Sequence, residues 1–288
     1  MLAMPTTTVE ELLNLARDHY LETRAASSAS TWRSHARIIA RVWPGLPAAS
    51  LTRRMIADWV ASQAKTSAPA TINHRLSFLR AALELAVERG LLAANPVAGT
   101  KRARVDNAVF RDLTATEEER LHAYIQDPRD WSLVRFAILT GLRRAEQWRL
   151  KIGDVDWKRA GMHVQGSKGT RRRWVPLCPD ALGIAQAWAE HSGGRASAYL
   201  FEPDRPGDRL ALGRAFYHQV FLPAVRAAGL PRTRWHDLRH AFASRLAQMP
   251  GVSLYVVGSL LGHTDPKMTQ RYSHLQDQHL RSAVNLLV

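Results

Sequence analysis

Four short segments of this sequence carry side chains that could act on an anionic substrate. In the first, Thr140-Gly141-Leu142-Arg143-Arg144-Ala145-Glu146, the glycine interrupts one helical pattern and Arg143 opens the next. A helix start presents free backbone N–H groups that favour anions, and Arg143 and Glu146 at i,i+3 share a face. Taken alone, the pair also fits a plain surface ion pair. The second segment is a basic turn, Lys168-Gly169-Thr170-Arg171-Arg172-Arg173. It can project Lys168, Arg171, Arg172 and Arg173 toward DNA phosphates or a groove, or remain a solvated loop, the common fate of charge runs. The third is Trp235-His236-Asp237-Leu238-Arg239-His240, helical by the apolar residues that follow, with His236 and Arg239 on one face. His236 and His240 have metal-ligand spacing, but a hydrolytic zinc helix carries Glu directly after the first His, and Asp237 stands there. His240 therefore reads as a packing or capping residue. In the fourth, Gly262 stops a helix before His263, and Asp265-Pro266 opens another that runs toward Arg271-Tyr272. A lone tyrosine so placed is commonly a half-buried core residue with a satisfied hydroxyl.

These groups need a frame, and the hydrophobic pattern supplies one. A Thr8/Glu11 capping box opens a helix over residues 9–21 that puts Leu12, Leu13, Ala16 and Tyr20 on one face. Further helices are expected over 30–43, stopped by Pro44-Gly45, over 52–63, and over 70–89, where Ile72, Leu76, Leu79, Leu83 and Ala86 recur at helical spacing. An Asn95-Pro96 turn follows. Residues 97–111 lack apolar periodicity and carry Lys101, Arg102, Arg104 and Arg111, the composition of a basic linker. A second capping box, Thr114 with Glu117, starts a new domain. There, runs at 162–164 and 173–177 flank the polar turn as a hairpin. Helices return over 179–190 and 212–227, and two or three more follow from His236. The expected fold is mainly α in two domains, a helical one over 1–98 and an α+β one over 112–288 with a small antiparallel sheet, joined by a linker at 99–111.

Forty Lys and Arg against 25 Asp and Glu give a net charge of +15, which attracts polyanions such as nucleic acid, although a general preference for Arg produces the same balance. Cys178 is the only cysteine, which excludes an intrachain disulfide and a Cys-based zinc cluster. No clustered carboxylates suggest a metal-dependent nuclease, so neither metal nor cofactor is expected. The first eight residues lack a signal-peptide pattern, and no apolar run approaches the roughly 20 residues needed to span a bilayer. A cytoplasmic, nucleoid-associated protein without a membrane partner is the expectation.

Taken in order, Arg-x-x-Glu after Thr-Gly, a hairpin Lys-Gly, His-x-x-Arg, Leu-Gly-His and a late Tyr resemble the signature of the tyrosine site-specific recombinases of the phage integrase family. The N-terminal helices, with Thr71-Ile72-Asn73 before a long helix and Asn95-Pro96 after it, resemble that family's core-binding, SAM-like domain. The resemblance implies that Tyr272 attacks a DNA phosphodiester, leaving a 3′-phosphotyrosyl bond and a free 5′-hydroxyl without ATP or metal. It makes Arg143 and Arg239 the phosphate forks and His263 a further donor. Lys168 becomes the acid for the departing 5′-oxygen and His236 the proton acceptor, with Glu146 orienting His236. Lys101, Arg102 and Arg104, with the arginines of the basic turn, would grip duplex DNA. Four protomers would assemble on two sites, with room for an accessory DNA-bending or directionality protein. The tail with Leu275, Leu280, Val284, Leu286 and Leu287 would dock on a neighbouring protomer or on its own domain. With helices expected from near Met1, no arm-binding domain is expected, a layout similar to chromosome-dimer resolvases and simpler integrases. Integration or excision of a phage or other mobile element is the expected outcome. Chromosome-dimer resolution and a catalytically silent DNA-binding regulator are the alternatives.

Overall fold

The computed structural model describes residues 7–23, 29–105, 113–166, 172–202, 209–230, 233–276 and 284–285. The chain divides into two compact units, Met1–Asn107 and Ala108–Val288.

The first unit holds α1 (Val9–Thr23), α2 (Ala29–Ala40), α3 (Arg53–Gln63) and α4 (Pro69–Glu88). The Thr8 capping box forms: its N–H donates to Glu11 Oε2 at 2.8 Å, and the Glu11 N–H donates to Thr8 Oγ1 at 3.2 Å. Leu12, Leu13 and Ala16 of α1 bury against Ile39, Ile56, Leu79 and Leu83. Helix α2 stops at Ala40, short of the expected Trp43. Pro44 disfavours helical backbone in the residue before it, and the chain turns there. Residues 99–105, within the expected linker, run along α4. Asn73 clamps them, its Nδ2 donating to Ala103 O and its Oδ1 accepting from Ala103 N–H, both at 2.8 Å. Arg53 adds a bond to Ala98 O at 2.8 Å. Lys101, Arg102 and Arg104 are carried on this strap, Lys101, Arg102 and Arg104 lying on the same short segment, and Arg102 donates to Ser77 Oγ at 3.2 Å.

The second unit opens with α5 (Ala115–Ala123), α6 (Pro128–Thr140) and α7 (Arg144–Gln147). The Thr114 and Glu117 capping box is present. A three-stranded antiparallel sheet follows in the order β1 (Val155–Asp156), β2 (Gly161–Val164), β3 (Arg173–Pro176), with Met162 opposite Val175 and Val164 opposite Arg173. The hairpin strands were legible as alternating runs. The two-residue β1 was not, being too short to show a period. After α8 (Pro179–His191), the single helix expected over 212–227 is broken into α9 (Arg209–Phe216), a π-helical turn (Tyr217–Phe221) and α10 (Leu222–Ala227). Pro223 is the cause. It has no N–H and would clash with the carbonyl four residues back, and the wider turn, closed by Leu222 N–H on Tyr217 O, relieves both.

Helices α11 (Trp235–Gln248), α12 (Leu254–Leu261) and α13 (Lys267–Gln270) follow, and a 3-10 turn over Ser273–Gln276 comes after them. Helix α11 packs on α6, with Leu238 and Ala241 joining Phe136 and Ala137 in the main core. Its far end forms a smaller core of Ala243, Ala247, Val257, Leu261 and Tyr272. Among the described residues no helix is long and apolar enough to cross a membrane.

Candidate active site

Two helix C-termini and one buried arginine organise the site. Helix α6 ends on Gly141 at φ 61°, and α12 ends on Gly262 at φ 66°. Both are left-handed positions that a side chain resists. A Cβ on Gly141 would also run into the Phe242 ring. Helix ends leave carbonyls without partners, and here one side chain serves both. Arg239, only 3% exposed, donates through Nη1 to Gly141 O at 2.7 Å and through Nη2 to Leu261 O at 2.5 Å. Segments 98 and 22 residues away in sequence are thereby pinned to α11. Arg143 follows Gly141 by two positions and His263 follows Leu261 by two, so both are carried to the same place.

Arg143 caps the start of α7. Its N–H donates to Glu146 Oε2 at 2.9 Å and its Nη1 to Glu146 Oε1 at 2.7 Å. The Glu146 side chain is 1% exposed and takes a second arginine: Arg173, 10% exposed, reaches Oε2 through Nη2 at 2.8 Å. Arg173 Nε donates to Leu260 O at 2.9 Å. Burial alone would push the Glu146 carboxyl up, but bonds to Arg173 and Arg143 outweigh it and hold it below its ordinary range. Gly262 makes room, since a Cβ there would stand 2.9 Å from Arg173 Cδ.

Two expectations are corrected here. Arg173 does not project from the turn with Arg171 and Arg172, because it lies within β3 and the strand's pleat directs it to Glu146 and α12. Glu146 does not orient His236, because both of its oxygens are held by the two arginines. Arg172 is exposed, with Asp154 Oδ1 at 3.7 Å. Lys168, Arg171 and most of the C-terminal tail lie outside the described residues.

The histidines divide into two groups. His263, half-buried on the turn after α12, has Nδ1 2.7 Å from Thr269 Oγ1. Burial, then the charges of Arg239 and Arg143, lower its pKa to about 3. His236 stands exposed on the first turn of α11, its pKa lowered by partial desolvation and by Arg239. One turn on, His240 is 6% exposed, and its ring meets that of His236 edge-on at 4.9 Å. Its Nδ1 lies 2.6 Å from the hydroxyl of Tyr272, itself 1% exposed. His240 thus makes a contact to the tyrosine hydroxyl, where sequence reasoning gave it only packing or capping. Its only signals were its helical turn from His236 and its place beside Arg239. Burial first, then His236, lowers the His240 pKa to about 4. Arg239 is lowered to about 9 by burial and by Arg143, and remains a cation at neutral pH.

A pH dependence of stability follows. In the unfolded chain both histidines take up protons near pH 6.5, whereas in the fold His240 and His263 stay neutral until about 4 and about 3. Their stabilisation is therefore complete above pH 6.5 and is lost as pH falls toward the folded values. Each histidine contributes up to about 1.4 kcal/mol per pH unit in that window. Thermal melts should be level from pH 8 to 7 and fall steadily from 6.5 to 4.5. A flat profile across that range would contradict the neutral state of both rings.

The site is therefore a cluster of arginines and histidines gathered around buried Arg239, with the Tyr272 hydroxyl beside His240, on a mainly helical, two-unit fold. Residues 111–279 match the phage integrase family, and the chain belongs to that family. Tyrosine recombinase XerC of Xanthomonas campestris pv. campestris (strain B100) is 33% identical over 216 residues, 74% of this chain and 66% of that protein's length. XerC of Xylella fastidiosa (strain 9a5c) is 34% identical over 239 residues, covering 80% of this chain and 79% of that protein. In fold, the chain is similar to the Tn1549 transposon integrase solved with circular intermediate DNA, with a TM-score of 0.78 at 19% identity over 98% of this chain and 100% of that one. It is similar also to a lambda integrase dimer bound to a core site, with a TM-score of 0.75 at 22% identity over 92% and 77%.

Proposed function

We propose that this chain is a site-specific recombinase that cuts and rejoins duplex DNA through a covalent 3′-phosphotyrosine at Tyr272, and that it integrates or excises a phage or other mobile element. The observation that carries this reading is the Arg239 clamp, which brings the segments of Arg143 and His263 to α11, with Tyr272 among the groups that act on Arg239. Attack on phosphorus builds negative charge on the nonbridging oxygens. The guanidinium forks of Arg143 and Arg239 match those oxygens, with His263 supplying a further bond. Each such contact supplies ~3–4 kcal/mol of transition-state stabilisation. Tyr272 Oη forms the new ester as the 5′-oxygen leaves, protonated by Lys168. The energy of the broken ester is kept in the new one, so rejoining needs neither ATP nor a metal.

Residues 1–98 would act as the core-binding domain, 99–111 as the basic connection and 112–288 as the catalytic domain. Lys101, Arg102, Arg104, Arg171 and Arg172 would hold the DNA backbone. A homotetramer would form the synaptic complex, in company with an accessory bending or directionality protein, on nucleoid DNA in the cytoplasm. A related lambda integrase has been solved as a tetramer bound to a Holliday junction. The XerC relatives favour a second reading, resolution of chromosome dimers.

Sequencing the host DNA fragments that the protein captures covalently separates the two. Enrichment at one sequence flanking a mobile element is the expected result. Enrichment at a single site where replicated chromosomes are separated would support the second reading, and capture without sequence enrichment would contradict both.

A further inference from the structure

The fold places a different histidine on the nucleophile from the one that the family resemblance assigns to it. His236 is exposed at the surface end of α11, whereas His240, one turn deeper, has Nδ1 2.6 Å from Tyr272 Oη. Proton transfer in a transition state requires a base within hydrogen-bond reach of the proton it takes. The contact is sheltered, since both residues lie in the protein interior, with Tyr272 packed among Ala243, Ala247, Val257 and Leu261. We propose that His240 is a catalytic residue, the base that removes the Tyr272 proton during attack, and that His236 is left to meet the DNA phosphate. The inference rests on the reading of Tyr272 as nucleophile.

The step balances. As the Oη–P bond forms, the hydroxyl proton passes to His240 Nδ1. The P–O5′ bond breaks, and the 5′-oxygen departs with a proton from Lys168. In rejoining, the 5′-hydroxyl attacks, returning its proton to Lys168, and Tyr272 Oη leaves and recovers its own from the His240 imidazolium.

The surroundings keep that imidazole unprotonated before attack. The groups that act on it are His236 and Asp237 of α11, Arg234 just before it, Arg271 and Tyr272 after α13, and His263 after α12. Burial and a majority of positive neighbours disfavour the imidazolium, so the ring is neutral at pH 7. Asp237 opposes this but is engaged elsewhere, its Oδ2 accepting the Arg234 N–H at 2.7 Å and its Oδ1 Arg234 Nη2 at 2.9 Å.

The test is the rate of covalent adduct formation on an end-labelled duplex that the wild-type protein captures from host genomic DNA, measured with wild type, His240→Gln and Tyr272→Phe. Glutamine can still hydrogen-bond the hydroxyl but cannot take its proton. The expected loss for His240→Gln is about 100-fold at pH 7, with DNA affinity and melting temperature near those of wild type. Its residual rate should climb about tenfold per pH unit toward the phenol's own ionisation near ~10, while wild type stays level from pH 6.5 to 8.5. A structural role would slow the reaction without changing the slope. A His240→Gln rate within threefold of wild type, a faster one, or a slower one with a level profile would each overturn the proposal. The wild-type profile tests it independently of how the variant folds, because a wild-type rate that climbs tenfold per unit through pH 8 has no internal base. Adduct from Tyr272→Phe would instead overturn the reading of the nucleophile.

Discussion

Replacing Arg239 with lysine will slow covalent adduct formation by about 100- to 1,000-fold at saturating DNA, the cost of removing a principal donor to a developing oxyanion. The substitution keeps the charge and discards the fork. A guanidinium can bond Gly141 O and Leu261 O and still present N–H groups to a phosphate, because it carries five donors in a fixed plane. An ammonium on a flexible stem offers three donors at one point. It cannot span the ends of α6 and α12, which Arg239 now reaches at 2.7 and 2.5 Å. Duplex affinity should change much less, since most binding comes from contacts to phosphates spread along the DNA. A separation of turnover from affinity is therefore the signature to seek. An Arg239→Lys variant with wild-type adduct kinetics would show that Arg239 serves only the fold.

The second large effect concerns stability. Replacing Glu146 with glutamine removes the carboxylate that Arg143 and Arg173 share, and strips the nearly buried Arg173 of that counter-charge. Breaking a buried pair from one side costs about 3–5 kcal/mol, which for a unit of this size lowers the melting temperature by about 10 °C. Arg173→Ala should cost a similar amount, because it also strips Leu260 O of its partner. Arg172→Ala is the contrast. That side chain is exposed and its contact with Asp154 is 3.7 Å long, so stability should change by less than about 0.5 kcal/mol, with the loss falling on DNA affinity. Should Arg173→Ala melt like wild type and weaken DNA binding as Arg172→Ala does, the internal role of Arg173 would be wrong.

The contrast between these two neighbours marks where sequence reasoning reached its limit. Local signals were readable because their physics is local. Thr8 and Thr114 announce helix starts through capping boxes, Gly141 and Gly262 announce helix ends, and α4 shows its apolar stripe. Those same stops placed Arg143 and His263 just beyond helix ends, where the structure has them. Arg172 and Arg173, by contrast, are the same residue type in one basic run. Only strand register tells them apart, since β3 begins at Arg173. Glu146 was legible as the helical partner of Arg143, but its second arginine arrives from 27 residues away in sequence. The His240 contact with Tyr272 spans 32 residues and two intervening helices. No periodicity encodes it, and it emerges only when α11 and α12 pack around their small shared core. The π-helical turn was in principle available, because Pro223 inside an apparently continuous helix has to be accommodated somewhere.

Whether Tyr272 forms the covalent bond to DNA is decided by an adduct assay under denaturing conditions. Wild type and Tyr272→Phe would be incubated with host DNA in EDTA, denatured in SDS, and digested so that the modified peptide can be sequenced. Wild type is expected to yield a DNA-linked peptide with the modification on Tyr272, and Tyr272→Phe no adduct despite unchanged DNA binding. An adduct that survives the substitution, or cleavage that occurs only when a divalent metal is supplied, would contradict that role for Tyr272.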